Sequence, residues 1–186
     1  FLACMAIEHL IENEGYLLSI IDNVRKSGEA AYWKDDFLMA KSQIDEYYDT
    51  SNFLSLCRDF GTQVLSEDNN VDTKDKLEFL ENSKIFFKSN DEFDISLFEK
   101  EVIKNKEVID AFNNYRKEYE ETNKIKTNDT FDISKDATKN AKKYFRSVIK
   151  LDKNFHVYVH SNPDLIEKGY DKEKGMNYYK LYFDKE

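Results

Sequence analysis

The chain has 186 residues, 40% of them hydrophobic and 15% aromatic, with five Gly, one Pro and a formal net charge of −9. That length holds one good core or two small modules sharing one, and the composition excludes a disordered or fibrous protein in favour of a helix-rich, well-packed one. The charge excludes a uniformly basic nucleic-acid coat but is uneven: from Asn140 onward nine Lys and one Arg face seven Asp and Glu, a balance of +3 that leaves −12 for the rest, and screening lets a local basic surface act alone.

Residues 2–9 and 16–22 are β-prone runs on either side of Ile11-Glu12-Asn13-Glu14-Gly15, which predicts a hairpin with a Gly-containing loop. Both runs are apolar at nearly every position, so both faces are expected to be covered. A lone hairpin is marginal in water, and a larger sheet is therefore expected, supplied by upstream sequence or by a second copy of the chain. The start, Phe1-Leu2-Ala3-Cys4, has neither an initiator Met nor a charged leader and reads as a cut inside a strand. No window approaches the roughly 18 consecutive apolar residues of a membrane span. Cys4 and Cys57 sit far apart on apolar-patterned segments, which predicts buried free thiols and a reducing, cytosolic compartment. Asp35-Asp36 points its carboxylates in different directions in helix or strand, and reads as a turn or cap rather than a metal pair.

The middle of the chain is helical. Asp49, Thr50 or Ser51 is expected to cap a helix whose Phe53, Cys57, Phe60 and Val64 form a core stripe. Asp72 or Thr73 caps the next, carrying Leu77, Leu80, Phe86 and Phe87. Asp94 caps a third, with Phe93 and Phe98 as a hydrophobic staple. Asn105 caps a fourth, bearing Val108, Phe112, Tyr115 and Tyr119. Plain packing accounts for these aromatic stripes better than a ligand pocket does. The polar stretch 124–130 marks a boundary, and Phe131-Asp132-Ile133-Ser134 repeats Phe93-Asp94-Ile95-Ser96, the same helix-start chemistry used twice.

From Ser134 to about Arg146 the pattern predicts an amphipathic helix. Lys135, Lys139, Lys142 and Arg146 fall in one stripe, with Lys143 beside them, and Ala137, Ala141, Tyr144, Phe145 and Val148 lie opposite. Strands are expected at 147–151, 155–160 and 177–183, with a helical turn at 164–168 and a Gly-flanked loop from Gly169 to Gly175. Alternation puts Phe155, Val157 and Val159 on one face, with Tyr179, Leu181 and Phe183 as partners. His156, Tyr158 and His160 take the other face, with Tyr178, Lys180 and Tyr182. His156 and His160 would be a ligand pair only on a helix; on a strand they are roughly 13 Å apart. Pro163-Asp164, Glu173 and Lys174 follow the acidic-acidic-basic order of metal-dependent nucleases, but the last two fall in the loop, where solvated charge is the plainer reading. No nucleophile elbow, P-loop or dinucleotide glycine pattern is present.

The expected class is α+β: an N-terminal β-hairpin with its connection (1–45), a helical region of about four helices (46–127), and a basic helix followed by a three-stranded antiparallel meander (128–186). A single-signed stripe in an acidic chain points to sequence-tolerant contact with a polyanion through Lys135, Lys139, Lys142, Lys143 and Arg146, with Lys150 and Lys180 as additions. The tyrosine face equally suits a protein interface or dimer. Neither a catalytic set, a metal site nor a cofactor is expected.

The segments Ala31-Tyr32-Trp33-Lys34-Asp35-Asp36-Phe37-Leu38 and Asn52-Phe53-Leu54-Ser55-Leu56-Cys57, the run from Phe145 to His160, Ile166-Glu167-Lys168-Gly169-Tyr170-Asp171, and Tyr178-Tyr179-Lys180-Leu181-Tyr182-Phe183 resemble the bacterial nucleoid-associated protein family of the NdpA type. The likeness is to its Bacteroidetes-like version, longer at the N-terminus. The resemblance implies a cytoplasmic protein of the nucleoid that binds DNA without a known catalytic step. It supplies no site residues.

Overall fold

In the computed structural model, residues 3–10, 15–22, 39, 41, 43–66, 71–141, 145, 147–159 and 162–185 are described. They fall into two compact units, residues 1–43 and 44–186. In the first, strands β1 (Ala3–Leu10) and β2 (Gly15–Asp22) pair antiparallel, Ala3 opposite Asp22 and Leu10 opposite Gly15, as the hairpin reading predicts. Asp35-Asp36 lies outside the described residues.

The second unit is built on helix α1 (Glu46–Gln63). Asp45, four to six positions ahead of the predicted caps, accepts the Tyr48 N–H at 2.8 Å. The helix thus starts a turn early, and Thr50, one of those expected caps, becomes a buried helical residue whose hydroxyl accepts the Ser134 N–H at 2.9 Å. One face of α1 buries Phe53, Leu54, Leu56, Cys57 and Phe60. Helix α2 (Thr73–Ser89) is capped by Asp72, as expected, and buries Leu77, Phe79, Leu80, Phe86 and Phe87. The two helices meet closely at Gly61, where an added Cβ would stand 2.9 Å from a Leu80 methyl group. Burial pushes the free Cys57 thiol up from its ordinary pKa, so it stays protonated and inert.

A short strand β3 (Glu92–Asp94) leads into helix α3 (Ile95–Phe98), which continues as a π-helical turn (Glu99–Ile103) closed by Lys104 at φ +63. The predicted staple is present: Asp94 caps the Leu97 N–H at 2.9 Å, and the Phe93 and Phe98 rings lie 5.6 Å apart. Helix α4 (Lys106–Asn123) is capped by Asn105 and contributes the fully buried Phe112. Along α4, burial and then the Asp59 carboxylate raise the Tyr119 phenol from 10.0 to about 12. An unfolded chain loses that proton near pH 10, so stability is full below pH 10 and is lost as pH rises toward about 12. Denaturant melts through that window should show a shallower decline for Tyr119→Phe than for the wild type.

The repeated tetrapeptide pairs with itself. Strand β4 (Thr130–Asp132) runs antiparallel to β3 with Phe131 directly opposite Phe93, and their rings stack at 4.6 Å and 14°. The flanking sequence, expected to show no longer repeat, does share Asn-Asp upstream, in Asn90-Asp91-Glu92 and Asn128-Asp129-Thr130. The outer bonds are symmetric too: the Ile95 N–H donates to the Asp129 carbonyl (2.9 Å) and the Ile133 N–H to the Asp91 carbonyl (2.7 Å). Helix-start chemistry is shared only in part. Asp94 caps α3, but in the second copy Ser134, not Asp132, stands at the head of helix α5 (Lys135–Ala141), its hydroxyl accepting the Ala137 N–H at 3.4 Å.

The C-terminal strands depart from the expected meander. Strand β5 (Ser147–Leu151) pairs β6 (Phe155–Val159) in one hairpin, and β7 (Ile166–Asp171) pairs β8 (Met176–Leu181) in another. Phe155 and Val157 therefore lie opposite Leu151 and Ile149, not residues of β8. The helical turn covers Pro163–Leu165 only. The strand β7 occupies what reads as turn and loop because Gly169 looks like a breaker. Here the glycine is a seat: Tyr178, directly opposite, lays its ring across it, and a Cβ at Gly169 would meet the Tyr178 phenol carbon at 2.4 Å. The α+β class, the hairpin, and the bundle of α1, α2, α3 with its π turn, and α4 match the expectation.

Candidate nucleic-acid interface

Helix α5 is held to the bundle by its small residues. Ala137 and Thr138 are buried, Ala141 packs on the core, and Phe145 just beyond joins the core cluster. Polar ties reinforce the dock: Ser134 to Thr50, and the Asn140 amide to the Tyr47 hydroxyl at 3.2 Å. Helix α5 ends at Ala141, short of the expected end near Arg146, and Phe145 lies beyond it; over its seven residues Ala137 and Thr138 are buried while Lys135, Asp136 and Lys139 are exposed, so the outer side is mixed in charge rather than purely basic.

Both lysines have carboxylate partners. The Lys135 ammonium lies 2.8 Å from Asp91 and donates to the Asn90 carbonyl at 2.5 Å, tying α5 to the start of β3. Hydrogen bonding and then attraction from Lys135 hold the Asp91 carboxyl below its ordinary range. Lys139 pairs with Asp136 one turn back at 3.2 Å. Lys180, on β8, pairs with Glu167 across the hairpin at 3.5 Å and lies 6.0 Å from the Tyr182 ring, while the Tyr182 hydroxyl donates to Glu167 at 2.8 Å. Tyr182 first and Glu167 second raise the Lys180 pKa. Lys142, Lys143 and Arg146 lie outside the described residues. Lys150 stands on β5 opposite His156.

These carboxylates are what the one-sided stripe concealed. Asp136 was legible, three positions before Lys139; Asp91 and Glu167 come from distant segments and had no local signal. Exposed pairs of this type are worth about 0–1 kcal/mol, so a phosphate can replace the carboxylate at little cost.

The other candidate chemistry dissolves into structure. Asp164 pairs with Lys74 at 2.6 Å. Asp171 accepts the Glu173 and Lys174 N–H groups at 2.9 and 3.1 Å, forming the turn between β7 and β8. His156 is on a strand, and His160 is outside the described residues. Among the described residues no group of three or more His, Cys, Asp or Glu is placed to hold a metal, and no helix is long and apolar enough to cross a membrane.

No curated protein and no solved structure matches the chain. The family model described as nucleoid-associated protein YejK matches residues 3–175, which takes in both units from β1 to the turn after β7. The chain belongs to that family of nucleoid-associated proteins.

Proposed function

We propose that this protein works in the cytoplasm, at the bacterial nucleoid, as a sequence-tolerant DNA-binding protein without a catalytic step. It meets the phosphate backbone through Lys135, Lys139, Lys142, Lys143 and Arg146, joined by Lys150 and Lys180. The family match over residues 3–175 carries this reading. Two further observations support it. Helix α5 is docked by its apolar side, which leaves its lysines at the surface. The segment from Asn140 onward is the positively balanced part of an otherwise acidic chain. With no base-reading groups invoked, affinity comes from counterion release, and its logarithm falls with the logarithm of salt by roughly 0.9 per phosphate contacted.

Fluorescence anisotropy on duplexes of unrelated sequence tests the reading. The expected result is the same affinity for each duplex and a steep salt dependence. Strong preference for one sequence, or no binding at low salt, overturns it.

A further inference from the structure

Lys135, Lys139 and Lys180 are each held by a carboxylate: Asp91 at 2.8 Å, Asp136 at 3.2 Å and Glu167 at 3.5 Å. Asp136 is a neighbour in sequence, but Asp91 and Glu167 are brought to their lysines by the fold. The repeat around Phe93 and Phe131 shows two forms of such a pair. Asp91 and Asp129 are equivalent positions of its two copies, and each meets a cation. Asp129 pairs with Arg116, whose side chain is only 13% exposed and donates to Thr127 twice more. That cation is locked into the fold. Asp91 pairs with the exposed Lys135 and is itself 92% exposed, so this copy of the pair is open to exchange. Nor does the seat of α5 depend on the exposed pairs, because Ala137 and Thr138 are buried and Thr50 accepts the Ser134 N–H. The pairs can part while the helix stays docked.

We infer that Asp91, Asp136 and Glu167 are internal competitors of DNA phosphate: each occupies a lysine in the free protein and yields it to a duplex, an inference that rests on the DNA reading above. A carboxylate tethered beside an ammonium acts at a high effective concentration, so a lone phosphate in solution is a poor rival for it. A duplex carries about one charge per 1.7 Å of axis and meets several lysines at once. The carboxylates therefore mask the lysines from stray anions while leaving them available to a polyanion. They also hold the affinity for DNA below what the bare lysines would reach. The pairs are exposed and individually weak, which limits each to about a twofold to fivefold effect on binding.

Fluorescence anisotropy of a labelled duplex with the whole chain at low salt tests it through mutant cycles. Asp136→Asn and Glu167→Gln keep a hydrogen-bond acceptor in place and remove the charge. Each should tighten binding about twofold to fivefold. The same changes should have no effect in the Lys139→Gln and Lys180→Gln backgrounds respectively, where no ammonium is left to release. An equal gain in those backgrounds would make the carboxylate a general negative charge near DNA, and overturns the inference. A wild type that binds the duplex with no gain from either substitution overturns this inference alone. Absence of binding by every one of these proteins overturns the DNA reading, and the inference with it.

Discussion

Phe53→Ala should destabilise the second unit by about 3–5 kcal/mol, a large part of the roughly 5–15 kcal/mol that holds an ordinary domain folded. Phe53 is fully buried at the middle of α1, and its ring centroid lies 4.2 to 6.1 Å from those of Phe87, Phe93, Phe98, Phe112 and Phe131. Those five come from α2, β3, α3, α4 and β4, so one side chain is the common packing partner of five elements. Truncation leaves a void that no single element can fill without drawing away from the others, which puts the cost at the upper end of the range for a phenylalanine. The stacked Phe93–Phe131 pair loses its floor, and with it the ribbon that precedes α5. Urea melts followed by circular dichroism should show the midpoint falling steeply for Phe53→Ala and much less for Phe53→Leu, which restores most of the volume.

Arg116→Met should cost about 2–4 kcal/mol, below the full value for a broken buried ion pair because one partner is exposed. The Arg116 guanidinium donates Nε to the Thr127 hydroxyl (2.6 Å) and Nη2 to the Thr127 carbonyl (2.7 Å), pairs through Nη1 with Asp129 (2.8 Å), and sits 6.0 Å from the Phe53 ring centroid. Glu120 completes the cluster, accepting from both the Thr127 N–H and its hydroxyl. Removing the cation leaves the half-buried Glu120 carboxylate unbalanced and frees the segment whose Asp129 carbonyl receives the Ile95 N–H. Arg116→Lys should recover only part of the loss, since an ammonium cannot serve three directions at fixed geometry. Comparison of the Arg116→Met and Arg116→Lys melts with a Glu120→Gln background measures how much of the effect belongs to the charge pair.

Helix caps at Asp72, Asp94 and Asn105 were legible because each is a short polar side chain ahead of an apolar stripe, and local chemistry decides it. The start of α1 was misplaced because Asp49, Thr50 and Ser51 have cap chemistry as good as that of Asp45, the actual cap, and the choice of the earlier residue is tertiary: Thr50 is drawn inward to receive the Ser134 N–H from a distant part of the chain. Strand β7 was hidden for the same kind of reason, since the role of Gly169 is visible only once Tyr178 is opposite it. The repeat around Phe93 and Phe131 was visible as a repeat, but its self-pairing is a matter of three-dimensional placement. At the candidate interface, the docking side of α5 followed from periodicity, while Asp91, its partner 44 positions before Lys135, did not.

The basic side of the chain is best tested by electrophoretic mobility shift of a random-sequence duplex over a salt titration, comparing the wild type with Lys139→Glu/Lys142→Glu/Arg146→Glu. Three lost phosphate contacts should reduce the salt slope by roughly 3 and weaken binding by orders of magnitude at low salt. The account predicts that loss with an unchanged thermal melt. Equal affinity and equal salt slope for the two proteins would contradict it.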